Sequence, residues 1–319
     1  MDLNKSTRHW LVAAWPGMSN VAVIACGYLV KQLNLEPVAV IDGAGRVEVG
    51  AVMVRGGHVQ VPTPPQTMIY SGKVGEDGPT VTVLIAEAQP DSRGMTHARD
   101  LLDRVRQDGV DHVLTFASVA TQVEPTETPK VYGAATMPEM IDELTAAGID
   151  PLGEGEIGGM NGLMVGAAAV GGLPGVCLLG EIPYYAAQIA NPGAASAVIA
   201  AFTRLTGVEV DLTEINRHAE RVNRLLVLLR ERMESGSTEP VRLEELAEQV
   251  AEEEPETAAA EKEKEKAGLD LATRRRLEEL FDEARKNHRK AVDLKQELDK
   301  LGVFKQYEDR FLDLFRRAG

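Results

Sequence analysis

Cysteine is scarce in this chain: two residues among 319, Cys26 and Cys177. A disulfide framework needs more of them, and a zinc site needs ligands paired close in sequence. Both thiols lie in apolar stretches and are expected to be free and buried, as in a reducing compartment. Aromatic residues make up only 4%. Basic residues are outnumbered, 34 Lys and Arg against 49 Asp and Glu, for a net charge of −15. That balance argues against nucleic acid and against an anionic membrane as partners. Also missing are a G-x-x-x-x-G-K-[ST] phosphate loop, an H-E-x-x-H zinc pair, a C-x-x-C pair and a G-x-S-x-G nucleophile elbow. None of the chemistries those spacings carry is indicated, and neither a metal nor a cofactor is expected. The first residues place Asp2, Lys5 and Arg8 before a short apolar stretch that Pro16-Gly17 interrupts. This does not read as an export leader, so a cytoplasmic protein is expected.

One uncharged run, residues 157–180, is long enough to cross a bilayer. It holds eight glycines, Asn161 and Pro174, and Gly171-Gly172 with Pro174-Gly175 is a strong turn signal. A loop, a buried helix over 163–170, a turn and a strand over 176–179 fit it better than a span.

Charge divides the chain into three regions. Residues 1–234 hold 27 acids and 17 bases together with most of the glycine. Residues 239–265 hold 11 acids and three bases, and residues 267–319 hold 11 acids and 13 bases. The expected domains are an α/β body over 1–234, an acidic linker over 235–268 and a charged helical hairpin over 269–319. In the body, strand-like runs at 10–14, 38–41, 80–86, 113–117 and 131–136 alternate with helix-like stretches. Those stretches cover about 20–33, 95–107, 138–148, 192–207 and 212–233, and Gly56-Gly57 marks a hairpin. Such alternation implies a mixed, mostly parallel sheet covered by helices on both faces, a three-layer α/β sandwich. The tail has apolar residues at helical spacing, including four of the six phenylalanines, and must bury them within the chain or on another subunit.

A formal G-x-G-x-x-G is present at Gly153, Gly155 and Gly158. It sits deep in the chain and encloses Glu154 and Glu156, charges that oppose a pyrophosphate, so a dinucleotide site is not favoured. Gly158-Gly159-Met160-Asn161-Gly162 precedes a helix, where converging backbone N–H groups suit an anion. The same glycines equally suit a buried helix lying close on the sheet. Glu181 follows the apolar 176–180 strand, a position where α/β proteins gather ligand groups. Ser19 and Ser118 each follow a strand, but no base is placed beside either. His97, His112 and His218 show no spacing that suggests a metal.

The motifs taken together resemble the proteasome assembly chaperone 2 family. The resemblance is carried by Trp15-Pro16-Gly17-Met18-Ser19-Asn20-Val21-Ala22, by Glu87-Ala88-Gln89-Pro90 and by Val131-Tyr132-Gly133-Ala134-Ala135-Thr136. Gly158-Gly159-Met160-Asn161-Gly162-Leu163 and Cys177-Leu178-Leu179-Gly180-Glu181-Ile182-Pro183 complete it, over roughly residues 8–234. The resemblance implies a phosphorylase/hydrolase-like α/β sandwich, a chaperone or binding role toward the 20S proteasome in eukaryotic and archaeal relatives, and homo-oligomers such as trimers in bacterial ones. It carries over no catalytic residue. Some archaeal relatives end in a hydrophobic–tyrosine–any tail that docks on the proteasome, whereas this sequence ends Arg317-Ala318-Gly319. Some bacterial relatives have Pro-His-Thr-Arg-Pro where this chain has Pro125-Thr126-Glu127-Thr128-Pro129.

Two functions follow as expectations. The first is a non-catalytic assembly or interaction protein that forms homo-oligomers, a trimer being favoured, with a proteasome-like or other protein assembly as partner. The alternative is a nucleoside- or nucleotide-like small-molecule binder or enzyme on the same scaffold. Its candidate ligand residues are Ser19, Asn20, Gly158, Gly159, Asn161, Gly162 and Glu181.

Overall fold

The structure is a computed structural model. It describes residues 8–43, 47, 52–60 and 64–235, together with Leu277, Leu280, Phe281, Lys290, Leu294, Lys295, Glu297 and Leu298. The chain divides into two compact units, residues 1–241 and 242–319. Apart from Ser235, the expected linker over 235–268 lies outside the described residues, as does most of the expected hairpin over 269–319. Within the second unit Leu277, Phe281, Leu294 and Leu298 are helical and buried.

The first unit alternates strands and helices in the order β1 (His9–Ala14), α1 (Val21–Gln32), β2 (Glu36–Asp42), β3 (Met53–Arg55), β4 (His58–Gln60), β5 (Gln66–Lys73), β6 (Thr80–Ala86), α2 (Gly94–Gln107), β7 (His112–Thr121), β8 (Val131–Ala135), α3 (Pro138–Ala146), β9 (Asp150–Pro151), α4 (Gly159–Val170), β10 (Gly175–Pro183), α5 (Pro192–Thr206) and α6 (Thr213–Glu234). Eight strands form one sheet in the order β2-β5-β6-β1-β7-β10-β8-β9, and β3 with β4 forms a separate hairpin. The central strands β6, β1, β7 and β10 run parallel, while β5 is antiparallel to both neighbours and β8 is antiparallel to β10. This is the mixed, mostly parallel sheet read from the sequence.

Central strands covered on both faces must be apolar on both faces. Trp10 to Ala14 are all fully buried, and every residue of β10 is buried. Even-numbered residues of β1, with Val81, Val83, Leu114, Val176 and Leu178, face a core shared with α1, α3 and α5. Leu11, Ala13, Trp15, Leu84 and Val113 face the opposite core with α2 and α4. Helix α6 packs on α5, completing a layer on the first side. Both cysteines are free and fully buried.

Three local differences from the sequence reading concern the candidate residues. Helix α4 begins at Gly159 rather than near 163, so Gly158 is its N-cap and Gly159, Met160, Asn161 and Gly162 form its first turn. Glycine disfavours a helix interior, yet here a side chain has no room: a Cβ on Gly162 would lie 1.9 Å from the Ile157 carbonyl oxygen. Strand β10 runs on through Glu181 to Pro183 because β7 continues beside it to Thr121. Ser118 accordingly lies inside β7 instead of after it.

Candidate functional site

The segment 15–20, between β1 and α1, is where the motifs meet. Asn161, 5% exposed on the first turn of α4, accepts from the Trp15 amide at 2.9 Å and donates back to the Trp15 carbonyl at 3.1 Å. The side-chain amide thus continues the pairing of β1 past its last strand residue. Its own backbone carbonyl accepts from Thr115 of β7 at 2.9 Å. Gln89 donates to the Pro16 carbonyl at 2.7 Å and accepts from the Met160 amide at 2.9 Å, joining the loop after β6 to the start of α4. Ser118 donates to the Met18 carbonyl at 3.0 Å.

Ser19 is held from the other side. Its hydroxyl donates to the Ala186 carbonyl at 2.9 Å, its amide donates to Ala187 at 2.8 Å, and its carbonyl accepts from the Asn191 amide at 3.0 Å. Ser19 and Asn20 take φ values of +53° and +50°, in the left-handed region that costs a non-glycine residue about 1 kcal/mol. Bonds from four distant segments fix this turn against that cost. Asn20 occupies the N-cap position of α1 without a side-chain capping bond, and it is exposed.

Glu181 makes a different set of bonds. Its carboxylate accepts from the Lys130 amide at 3.0 Å and from the Tyr132 hydroxyl at 3.3 Å, and its own amide donates to Lys130. It fastens the start of β8 to β10. Burial and then the nearby Glu181 charge raise the pKa of the Tyr132 phenol, keeping it a protonated donor.

Of the candidate residues, Ser19, Asn20, Gly158, Gly159, Asn161 and Gly162 are gathered on or against the 15–20 loop, while Glu181 braces the β8–β10 edge. The side chains of Ser19 and Asn161 bond to backbone, that of Glu181 to backbone and to a neighbouring tyrosine, and Asn20 is exposed. The bracing roles of Gln89 and Thr115 are not legible in sequence, because nothing in Glu-Ala-Gln-Pro or in a buried strand marks a brace. Of two clefts among the described residues, neither is lined by a candidate residue. A small one beside Trp15 and His97 holds about 10 Å³ of accessible space. The larger, about 250 Å³, lies between Gln122, Glu124, Tyr184, Tyr185, Arg230 and Met233. Burial raises both thiols, Cys177 to about 12. Among the described residues no group of three His, Cys, Asp or Glu could hold a metal, and no helix is long and apolar enough to cross a membrane.

Residues 11–229 match the PAC2 family. An uncharacterised protein of Methanocaldococcus jannaschii is 36% identical over 101 residues, which is 31% of this chain and 38% of that relative's length. Among solved structures, Pyrococcus furiosus PbaB, an archaeal proteasome activator, superposes with a TM-score of 0.60 at 21% identity. It covers 70% of this chain and 94% of its own. A proteasome-assembly chaperone homologue from Mycobacterium tuberculosis gives 0.59 at 21% identity, over 74% of this chain and 99% of its own. At these identities the superpositions establish a shared fold.

Proposed function

The chain belongs to the PAC2 family, and from that premise we propose that it is a non-catalytic, chaperone-like interaction protein that self-assembles and engages a larger protein assembly. In this reading it is cytoplasmic, a homo-oligomer with three copies favoured. Its partner is of the proteasome kind named for the Pyrococcus furiosus and Mycobacterium tuberculosis structures. Ser19, Asn161 and Glu181 then brace the scaffold through their side chains, Gly159 and Gly162 fit where a side chain has no room, and Asn20 and Gly158 occupy the N-cap positions of α1 and α4.

One observation carries this reading. The bonds that consume the motif side chains turn Met18 outward: its carbonyl is held by Ser118 while the residue is 46% exposed. Tyr184, just past the end of β10, is 57% exposed. An apolar side chain on a backbone fixed in advance loses little freedom when it docks, which suits recognition of a protein surface.

The test is co-sedimentation of the purified full chain with the 20S proteasome core particle of the same organism and with its free subunits. Binding is expected, and Met18→Asp and Tyr184→Asp are expected to weaken it at least tenfold. If neither the particle nor its subunits sediment with the chain, the partner assignment is wrong.

A further inference from the structure

The larger cleft lies where β7 and β10 end side by side, with Thr121 opposite Pro183. Neighbouring carboxyl ends of parallel strands are where α/β proteins collect binding loops. The rings of Tyr184 and Tyr185 meet edge to face with centroids 5.5 Å apart. The Tyr185 hydroxyl donates to the Leu226 carbonyl of α6 at 3.3 Å, which fixes that ring, while Tyr184 stays exposed. The opposite wall is the last turn of α6, with Arg230, Met233 and Glu234. Met233 is 51% exposed and offers an apolar side.

Charge decides what this cleft suits. Its charged lining consists of Glu124, Arg230 and Glu234. The Arg230 guanidinium pairs with Glu124 and approaches Glu234 at 3.4 Å, so two carboxylates share one cation. The carboxyl end of α6 adds partial negative charge in the same place. Burial, then Tyr184, then the Glu234 charge raise the Tyr185 phenol pKa, so its ring remains neutral.

We propose that this cleft receives a lysine or arginine side chain presented by a partner protein. The aliphatic stem lies along Met233, and the charged head sits against the Tyr184 face within reach of Glu124 and Glu234. Ring quadrupoles attract a cation, and long basic side chains pack their stems on apolar surface while the head stays polar. An acidic segment would meet the surplus carboxylate, and a purely apolar one would bury that charge without compensation. This deepens the interaction-protein reading and rests on it.

The test uses the full chain carrying 3-fluorotyrosine, followed by fluorine NMR, with the Tyr184 resonance assigned by its loss in Tyr184→Phe. Titration with N-acetyl-arginine amide is expected to shift that resonance to saturation, whereas N-acetyl-norleucine amide leaves it in place. The double variant E124Q/E234Q changes two side chains that are 45% and 67% exposed, so folding is not at stake. It is expected to weaken the response about three- to tenfold. No shift of Tyr184, an equal shift with the norleucine probe, or an unchanged titration in E124Q/E234Q overturns the assignment. If the arginine probe titrates Tyr184 but the chain fails to sediment with core particles, the cleft stands and the partner reading falls. Sedimentation without an arginine response overturns the cleft and leaves the partner reading in place.

Discussion

Asn161 pairs with the Trp15 backbone through both the oxygen and the nitrogen of its side-chain amide. Asn161→Ala would orphan a buried N–H and a buried C=O together. The expected cost is about 2–4 kcal/mol, read as a lower urea midpoint at unchanged slope. A second residue-scale expectation concerns Cys177, whose thiol burial pushes up to about 12. At pH 8 it stays protonated, so iodoacetamide should label it only as fast as the native state opens. A third concerns His9, whose imidazole is 2.7 Å from the Thr82 hydroxyl, itself 2.9 Å from Ser71. Burial lowers the His9 pKa against the opposing pull of Asp111 and Asp108. The unfolded chain therefore binds this proton first, and stability should fall as pH drops below about 6.5 and level off beneath the folded-state value. In His9→Gln that slope should flatten in denaturation curves taken between pH 7 and 5.

At the scale of elements, α4 shows why part of the site escaped the sequence. Three glycines among residues 158–162 read as a loop, because glycine costs a helix conformational entropy. What these positions share is that a side chain does not fit: the Ile157 carbonyl passes where a Cβ on Gly162 would stand, a Cβ on Gly159 would approach Gln89 to 3.0 Å, and Gly159 takes φ +68° at the start of the helix. Gly162→Ala should accordingly destabilise by about 1–3 kcal/mol, although alanine is the better helix former, and thermal unfolding would register that sign. The central strands were legible because burial on both faces demands unbroken apolar runs, and 80–86 coincides with β6. Strand β5 was not, since Pro64-Pro65 before it and Ser71-Gly72 near its end look like turns, while only Thr67 and Ile69 in it are buried. The extension of β10 past Glu181 was hidden too, as it depends on how far its neighbour β7 continues.

For the whole molecule, the proposed self-assembly predicts a mass by light scattering of three times the 34.5 kDa chain, independent of loading concentration in the micromolar range. A mass equal to one chain would contradict it. The two faces of the sheet carry separate cores, and the 15–20 loop is held by groups from β7, α4, the loop after β6 and the segment after β10. The separations are long: 146 positions between Trp15 and Asn161, and 167 between Ser19 and Ala186. Synthesis runs from the amino end, so on the ribosome the strand made first must wait for the strand made last before its own end is secured. A nascent chain arrested before residue 186 has emerged should leave the Met18 segment open to protease, and release of a few tens of residues more should close it.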